Sequence, residues 1–68
     1  MAAEEDLTPV ERLLCHYLNL GLTAQEIATD RWVTLNTVKS QMLRLYRKLG
    51  VHGRADAVAR ARALGVLQ

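Results

Sequence analysis

Along the 68 residues, apolar side chains recur three and four positions apart in four stretches, and no stretch alternates as a strand would. In the first, Val10, Leu13, Leu14, Tyr17 and Leu18 mark one side of a helix. Thr8, Pro9 in the favoured first position and Glu11 make a capping box, in which two side chains satisfy amides that lack partners within the helix. Gly21 stops it. A second box, Thr23 with Glu26, opens a helix of about two turns, with Leu22 and Ile27 as a hydrophobic staple. Thr34 opens a third helix, stapled by Val33 and Val38 and closed by Gly50. The fourth starts after Gly53, with Asp56 near its positive end, and runs through AVARARAL to Gly65. Ala57, Val58, Ala61 and Leu64 form its inward stripe, and Val66 and Leu67 find no evident place in so small a core.

The chain therefore reads as all-α, a four-helix bundle with helices at about 8–20, 23–31, 34–49 and 54–64. Residues 7–68 form one domain, preceded by a polar segment, residues 1–6, that is too polar to pack and is expected to fray. Only residues 30–33 separate the second and third helices, too short a link for an ordinary antiparallel hairpin and suited to helices that cross steeply. That pair is a helix-turn-helix.

The third helix has two opposed faces. At 100° per residue with Lys39 at zero, Asn36, Ser40, Leu43, Arg44 and Arg47 fall between about 40° and 140°. Val38, Met42, Leu45, Leu49, Leu35 and Tyr46 fall between about 240° and 340°. Four cations and no acid lie between Thr34 and Gly50. Leu43 alone breaks the polar side, in the middle of the cationic arc, where ordinary core is not expected.

Charge sharpens this picture. The formal net charge of +2 conceals a division: residues 1–30 carry one cation, Arg12, and six acids, whereas residues 31–68 carry eight cations and Asp56 alone. Such asymmetry points to an anionic partner for the second half. Small polar Asn36, Thr37 and Ser40 at the start of the third helix permit close entry to base edges in a DNA major groove, which is how the second helix of a helix-turn-helix engages DNA. On that reading Lys39, Ser40, Leu43, Arg44 and Arg47 address bases, with Arg44 and Arg47 able to reach flanking phosphates, and Thr37, Lys48 and Arg54 hold the backbone.

Other chemistry is poorly supported. Cys15 and His16 are neighbours on a helix, about 100° apart, which misplaces a nucleophile and base and leaves a half-buried thiol beside a surface imidazole. Two histidines 36 positions apart and one cysteine make no zinc constellation, and no glycine-rich phosphate loop occurs. Neither an enzyme nor a cofactor is expected. The single cysteine and the lack of a signal peptide or an 18-residue apolar run fit a reducing, cytoplasmic setting without a membrane.

The motifs LTPVERLLCHYLNLGLTAQEIA, VTLNTVKSQMLRLYRKLGV and RADAVARA resemble the LuxR/FixJ-type, or GerE-like, DNA-binding domain of bacterial transcription regulators, over about Leu7 to Leu67. VxxNTVK with LYRKLGV most resembles the C-terminal effector domain of the large MalT-like ATP-dependent regulators. The resemblance implies backbone contact by Thr37, major-groove contact at Lys39, Ser40 and Leu43, and a fourth helix that helps a homodimer form on DNA. Arg62, Ala63, Val66 and Leu67 are the candidates for that pairing, which is expected to be weak or absent without DNA, and RNA polymerase is a candidate further partner. A sigma-factor region shares the two-helix core but not a fourth helix after KLGV; a protein interaction module docking an acidic partner is the alternative from another class.

Several positions depart from the family pattern. Arg31 stands where a buried leucine is usual, and Trp32 is expected to swing into the core beside it while Arg31 snorkels out. Gln41 replaces a frequent histidine, and Gly53 a better capping serine or asparagine. Leu43 replaces a frequent lysine or arginine, trading one polar base contact for apolar contact with a thymine methyl.

Overall fold

Four helices form where caps and apolar spacing place them: α1 (Pro9–Asn19), α2 (Ala24–Arg31), α3 (Leu35–Leu49) and α4 (Arg54–Ala63). They belong to a computed structural model that describes residues 6–67. Of the segment expected to fray, residues 1–5 lie outside the described residues; Asp6 accepts a hydrogen bond through its carbonyl from Lys48 Nζ at 3.2 Å.

Both capping boxes close. The Thr8 hydroxyl accepts from the Glu11 amide at 3.2 Å while Glu11 Oε1 accepts from the Thr8 amide at 2.8 Å. Thr23 and Glu26 repeat the exchange at 3.1 and 2.8 Å. Thr34 caps α3 by accepting from the Thr37 amide at 3.1 Å, with no acid to complete a box. Gly53 gives α4 no side-chain cap, as its missing side chain requires.

The helix exits share one device. At each, a residue with positive φ follows the last turn: Gly21 at +84°, Trp32 at +58°, Gly50 at +69° and Gly65 at +81°. The next amide folds back to a carbonyl five residues earlier: Leu22 to Tyr17, Val33 to Ala28, Val51 to Tyr46 and Val66 to Ala61. This closure satisfies end carbonyls and sets an apolar side chain against the last turn. Val66 is that side chain for α4 and is buried, which corrects its expected place on a dimer face. Leu67 is partly buried against the same core.

Trp32 does not enter the core. It is 94 % exposed, because it fills the left-handed position that glycine takes at the other three exits, where the chain has already turned away from α2. Arg31 does not turn out to solvent: it is half-buried and donates from Nη1 to Gln41 Oε1 on α3 at 2.6 Å. Two departures from the family pattern thus answer each other across the α2–α3 contact.

Leu14, Cys15 and Leu18 of α1, Ile27 and Ala28 of α2, Val38, Leu45 and Leu49 of α3, and Ala57 and Ala61 of α4 meet in one core with Leu7 and Val66. Cys15 is fully buried rather than half-buried, and Leu13 faces solvent. The buried line of α1 is Glu11, Leu14, Cys15 and Leu18, the same helical spacing rotated by one position from the expected stripe, with a carboxylate at its head. Alanines at 57 and 61 let α4 approach α1 and α3 closely. The cost of the buried Glu11 is met by Lys48 near the end of α3, whose Nζ lies 2.8 Å from Glu11 Oε1.

Candidate nucleic-acid interface

The candidate surface lies on α3, whose inner face is fully committed. Val38, Leu45 and Leu49 have no solvent exposure, and this fixes the rotation of the helix. Asn36, Thr37, Lys39, Ser40, Leu43, Arg44 and Arg47 are consequently all exposed, along a helix of 15 residues, about 22 Å at 1.5 Å per residue. The rotation is the one read from the sequence, and it brings the five expected base-facing residues onto one surface.

Its N-terminus differs electrostatically from the others. The first turns of α1, α2 and α4 carry Glu11, Glu26 and Asp56, whereas that of α3 carries no acid. The partial positive charge of the α3 amides is therefore not offset from within the helix, which suits an approaching phosphate. The Thr37 hydroxyl lies 2.8 Å from that of Thr34, and both residues are exposed at this end.

The expected backbone-holding residues divide. Arg54 is half-buried at the start of α4, close enough to act electrostatically on Glu26 and Tyr46, and its Nη2 is buried without a hydrogen-bond partner. Burial pushes the Tyr46 phenol above its ordinary value of 10.0 against the opposing influence of Arg54, so Tyr46 stays neutral. Lys48 is occupied differently from expectation: two of the three donors on its ammonium go to Glu11 and to the Asp6 carbonyl. Burial would raise the Glu11 carboxyl, but hydrogen bonds from Lys48 and Thr8 and the Lys48 charge outweigh it and hold the group below 4.5. Lys48 thus ties α1 to α3.

Sequence reading missed the relief around Leu43. Leu43 is 60 % exposed and, with Tyr46, lines two shallow concavities. One, of about 510 Å³, continues to Arg47, Gly50, Val51 and His52. The other, of about 340 Å³, is bounded by Ala24, Lys39 and Met42 and is almost wholly apolar. The spacing of 39, 42, 43 and 46 already marks a single helical stripe, although Met42 and Tyr46 fall on the apolar side of the helix.

On α4, Arg62 and Ala63 are exposed, and Arg62 donates from Nη2 to Asn19 Oδ1 at 2.9 Å, tying the end of α4 to the end of α1. Among the described residues, no cluster of three or more His, Cys, Asp or Glu is placed to hold a metal ion, and no helix is long and apolar enough to cross a membrane.

Comparison with known proteins agrees with this arrangement. The profile described as "Bacterial regulatory proteins, luxR family" matches residues 5–61. The transcriptional regulatory protein YdfI of Bacillus subtilis is 38% identical over 64 residues, covering 94% of this chain and 30% of that protein. The probable transcriptional regulatory protein SgaR of Hyphomicrobium methylovorum is 47% identical over 55 residues, 81% of this chain and 26% of the relative. The probable transcriptional regulatory protein NarL of Mycobacterium tuberculosis is 42% identical over 55 residues, with the same coverages. No solved structure matches. The chain spans between a quarter and a third of these relatives, and the match covers all of α1 to α3 and most of α4. With its helix-turn-helix and exposed cationic third helix, this chain belongs to the luxR family of bacterial regulatory proteins and is a DNA-binding domain of that family.

Proposed function

We propose that the chain binds duplex DNA sequence-specifically as the effector domain of a cytoplasmic bacterial transcription regulator, with α3 in the major groove. The observation that carries this is the uninterrupted exposed face of α3, with Lys39, Arg44 and Arg47 on it and no acid anywhere between Arg31 and Arg54. Lys39 and Ser40 are assigned to base edges, and Arg44 and Arg47 to bases or flanking phosphates. Thr37, the amides at the start of α3, and Arg54 are assigned to the backbone. The nearer likeness to MalT-like regulators rests on VxxNTVK and LYRKLGV alone.

Pairing on a two-fold site, with half-sites about one helical turn apart, is assigned to the outer side of α4 through Arg62, Ala63 and the exposed part of Leu67. That surface is small, so DNA assembles the pair, and RNA polymerase contact would come from the promoter complex.

The test is binding to random DNA and to duplexes selected from a random pool, across a salt series. The logarithm of affinity should fall linearly with the logarithm of salt, by about 0.9 per phosphate neutralised. Lys39→Ala should weaken the selected duplexes more than random DNA. Salt-independent binding would remove the electrostatic basis. Binding without any sequence preference would favour docking of an acidic protein partner.

A further inference from the structure

The relief around Leu43 has a chemical consequence for the choice of base. We infer that Leu43 reads a thymine 5-methyl group within about two base pairs of the base addressed by Lys39, and so sets a T·A preference in each half-site. This rests on the proposed seating of α3 in the major groove.

A lone exposed leucine is ordinary on a protein surface and would by itself imply nothing. Three observations distinguish this one. It stands in the centre of the cationic arc, with Lys39 one turn before it and Arg47 one turn after. It lines two concavities, and 60 % of the residue is open to an approaching surface. The concavity of about 340 Å³ beside it is walled by Ala24, Lys39, Met42 and Tyr46 and is almost wholly apolar, so apolar surface continues beside Leu43.

The major groove offers one apolar group, the C5 methyl of thymine, which 5-methylcytosine also carries. A leucine pressed on the edge of guanine or unmodified cytosine would take polar atoms from water without replacing their hydrogen bonds. The same side chain therefore favours a methyl-bearing pyrimidine and rejects the alternatives. One α-helical turn advances 5.4 Å and a base pair about 3.4 Å, which gives the limit of about two base pairs from Lys39.

The experiment replaces each thymine of a selected duplex in turn by deoxyuridine, which removes only the methyl, and measures binding by the 68-residue chain and its Leu43→Ala variant. One thymine per half-site should lose roughly fourfold in affinity for the native chain, the worth of one buried carbon, and nothing for Leu43→Ala. At that position 5-methylcytosine should bind more tightly than cytosine. A Leu43→Lys variant, put through fresh selection, should exchange the T·A preference for G·C, since a lysine meets the guanine acceptors. Circular dichroism confirms that each variant folds, as exposure of the site leads one to expect. Equal sensitivity to deoxyuridine in the native chain and Leu43→Ala, or no sensitivity at any thymine, overturns the assignment while sequence-specific binding stands. Loss of sequence-specific binding altogether would instead overturn the DNA reading and this inference with it.

Discussion

Replacing Lys48 by methionine separates its two conceivable roles, lock and phosphate contact. Methionine keeps an unbranched stem of similar reach and removes the ammonium, leaving the Glu11 carboxylate with its Thr8 contact but no countercharge. Breaking a fully buried pair costs about 3–5 kcal/mol, and an exposed one about 0–1. Here the Glu11 side chain is 4 % exposed and that of Lys48 33 %, so solvent screens one partner and the expected loss is about 2 kcal/mol. A domain of this size has a total stability on the order of 3–10 kcal/mol. At roughly 4–8 °C per kcal/mol, the melting temperature should fall by about 8–16 °C.

Thermal and urea unfolding of the native chain, Lys48→Met, Glu11→Gln and the double variant make a cycle that isolates the pair. The pH dependence gives a second reading. Glu11 is held below its ordinary 4.5, so its contribution is fully present above that value and is lost as pH falls through the lowered folded pKa. Glu11→Gln should lack that acid-side component. If Lys48 is a lock, Lys48→Met measured where both proteins are folded leaves the salt slope of DNA binding unchanged; a phosphate contact would reduce it by about 0.9. A melting temperature within a degree or two of native, together with a reduced slope, would refute the lock.

Other substitutions test single features. Trp32→Gly should raise stability by about 0.5–1 kcal/mol, seen as a higher urea midpoint, because glycine relieves the left-handed conformation and the exposed indole gives up no packing. Gly53→Ser should add a few tenths of a kcal/mol by supplying the missing cap of α4, since a Cβ at this site meets nothing within 4 Å; an unchanged melting temperature would count against it. Burial, aided by the charge of Glu11, pushes the Cys15 thiol above 9.0, so an aromatic disulfide reagent at pH 8 should label it only through opening of the domain, and Lys48→Met should accelerate labelling. Labelling as fast as in urea would show that α1 is not held against the core.

What the sequence made legible was whatever depends on neighbours in the chain. Thr8 with Glu11 and Thr23 with Glu26 are local constellations, and both closed as their spacing predicts. The two faces of α3 follow from one angle per residue and a stripe of long aliphatic side chains, and burial of Val38, Leu45 and Leu49 agrees with it. What misled was anything settled between elements. Glu11 reads as a cap, and nothing near it in sequence shows that Lys48, 37 positions on, lies against the same carboxylate. Arg31 and Gln41 each look like isolated departures until α2 crosses α3 and joins them. Val66 and Trp32 are different, since both carry a local signal: an apolar residue follows each left-handed exit, as Gly21–Leu22 and Gly50–Val51 show. Applied to Gly65–Val66 that rule buries Val66, and applied to Trp32–Val33 it packs Val33 against the core and turns Trp32 outward.

On the proposed seating of α3 in the major groove, this division also determines how the domain can change its target. Every residue assigned to a base is exposed, while the side chains that hold the helix in place, Val38, Leu45 and Leu49 inside and Lys48 at its far end, lie on other bearings. Substitutions at Lys39, Ser40, Leu43, Arg44 and Arg47 therefore remove little buried surface, and surface changes of that kind stay within about 0.5 kcal/mol. Preference for a DNA sequence can vary at these positions without spending the small stability of a 68-residue chain. Lys48 is the exception among the cations of α3, because the same charge that would attract phosphate is the one that makes a buried Glu11 tolerable, and a substitution there would be felt in folding before it is felt in binding.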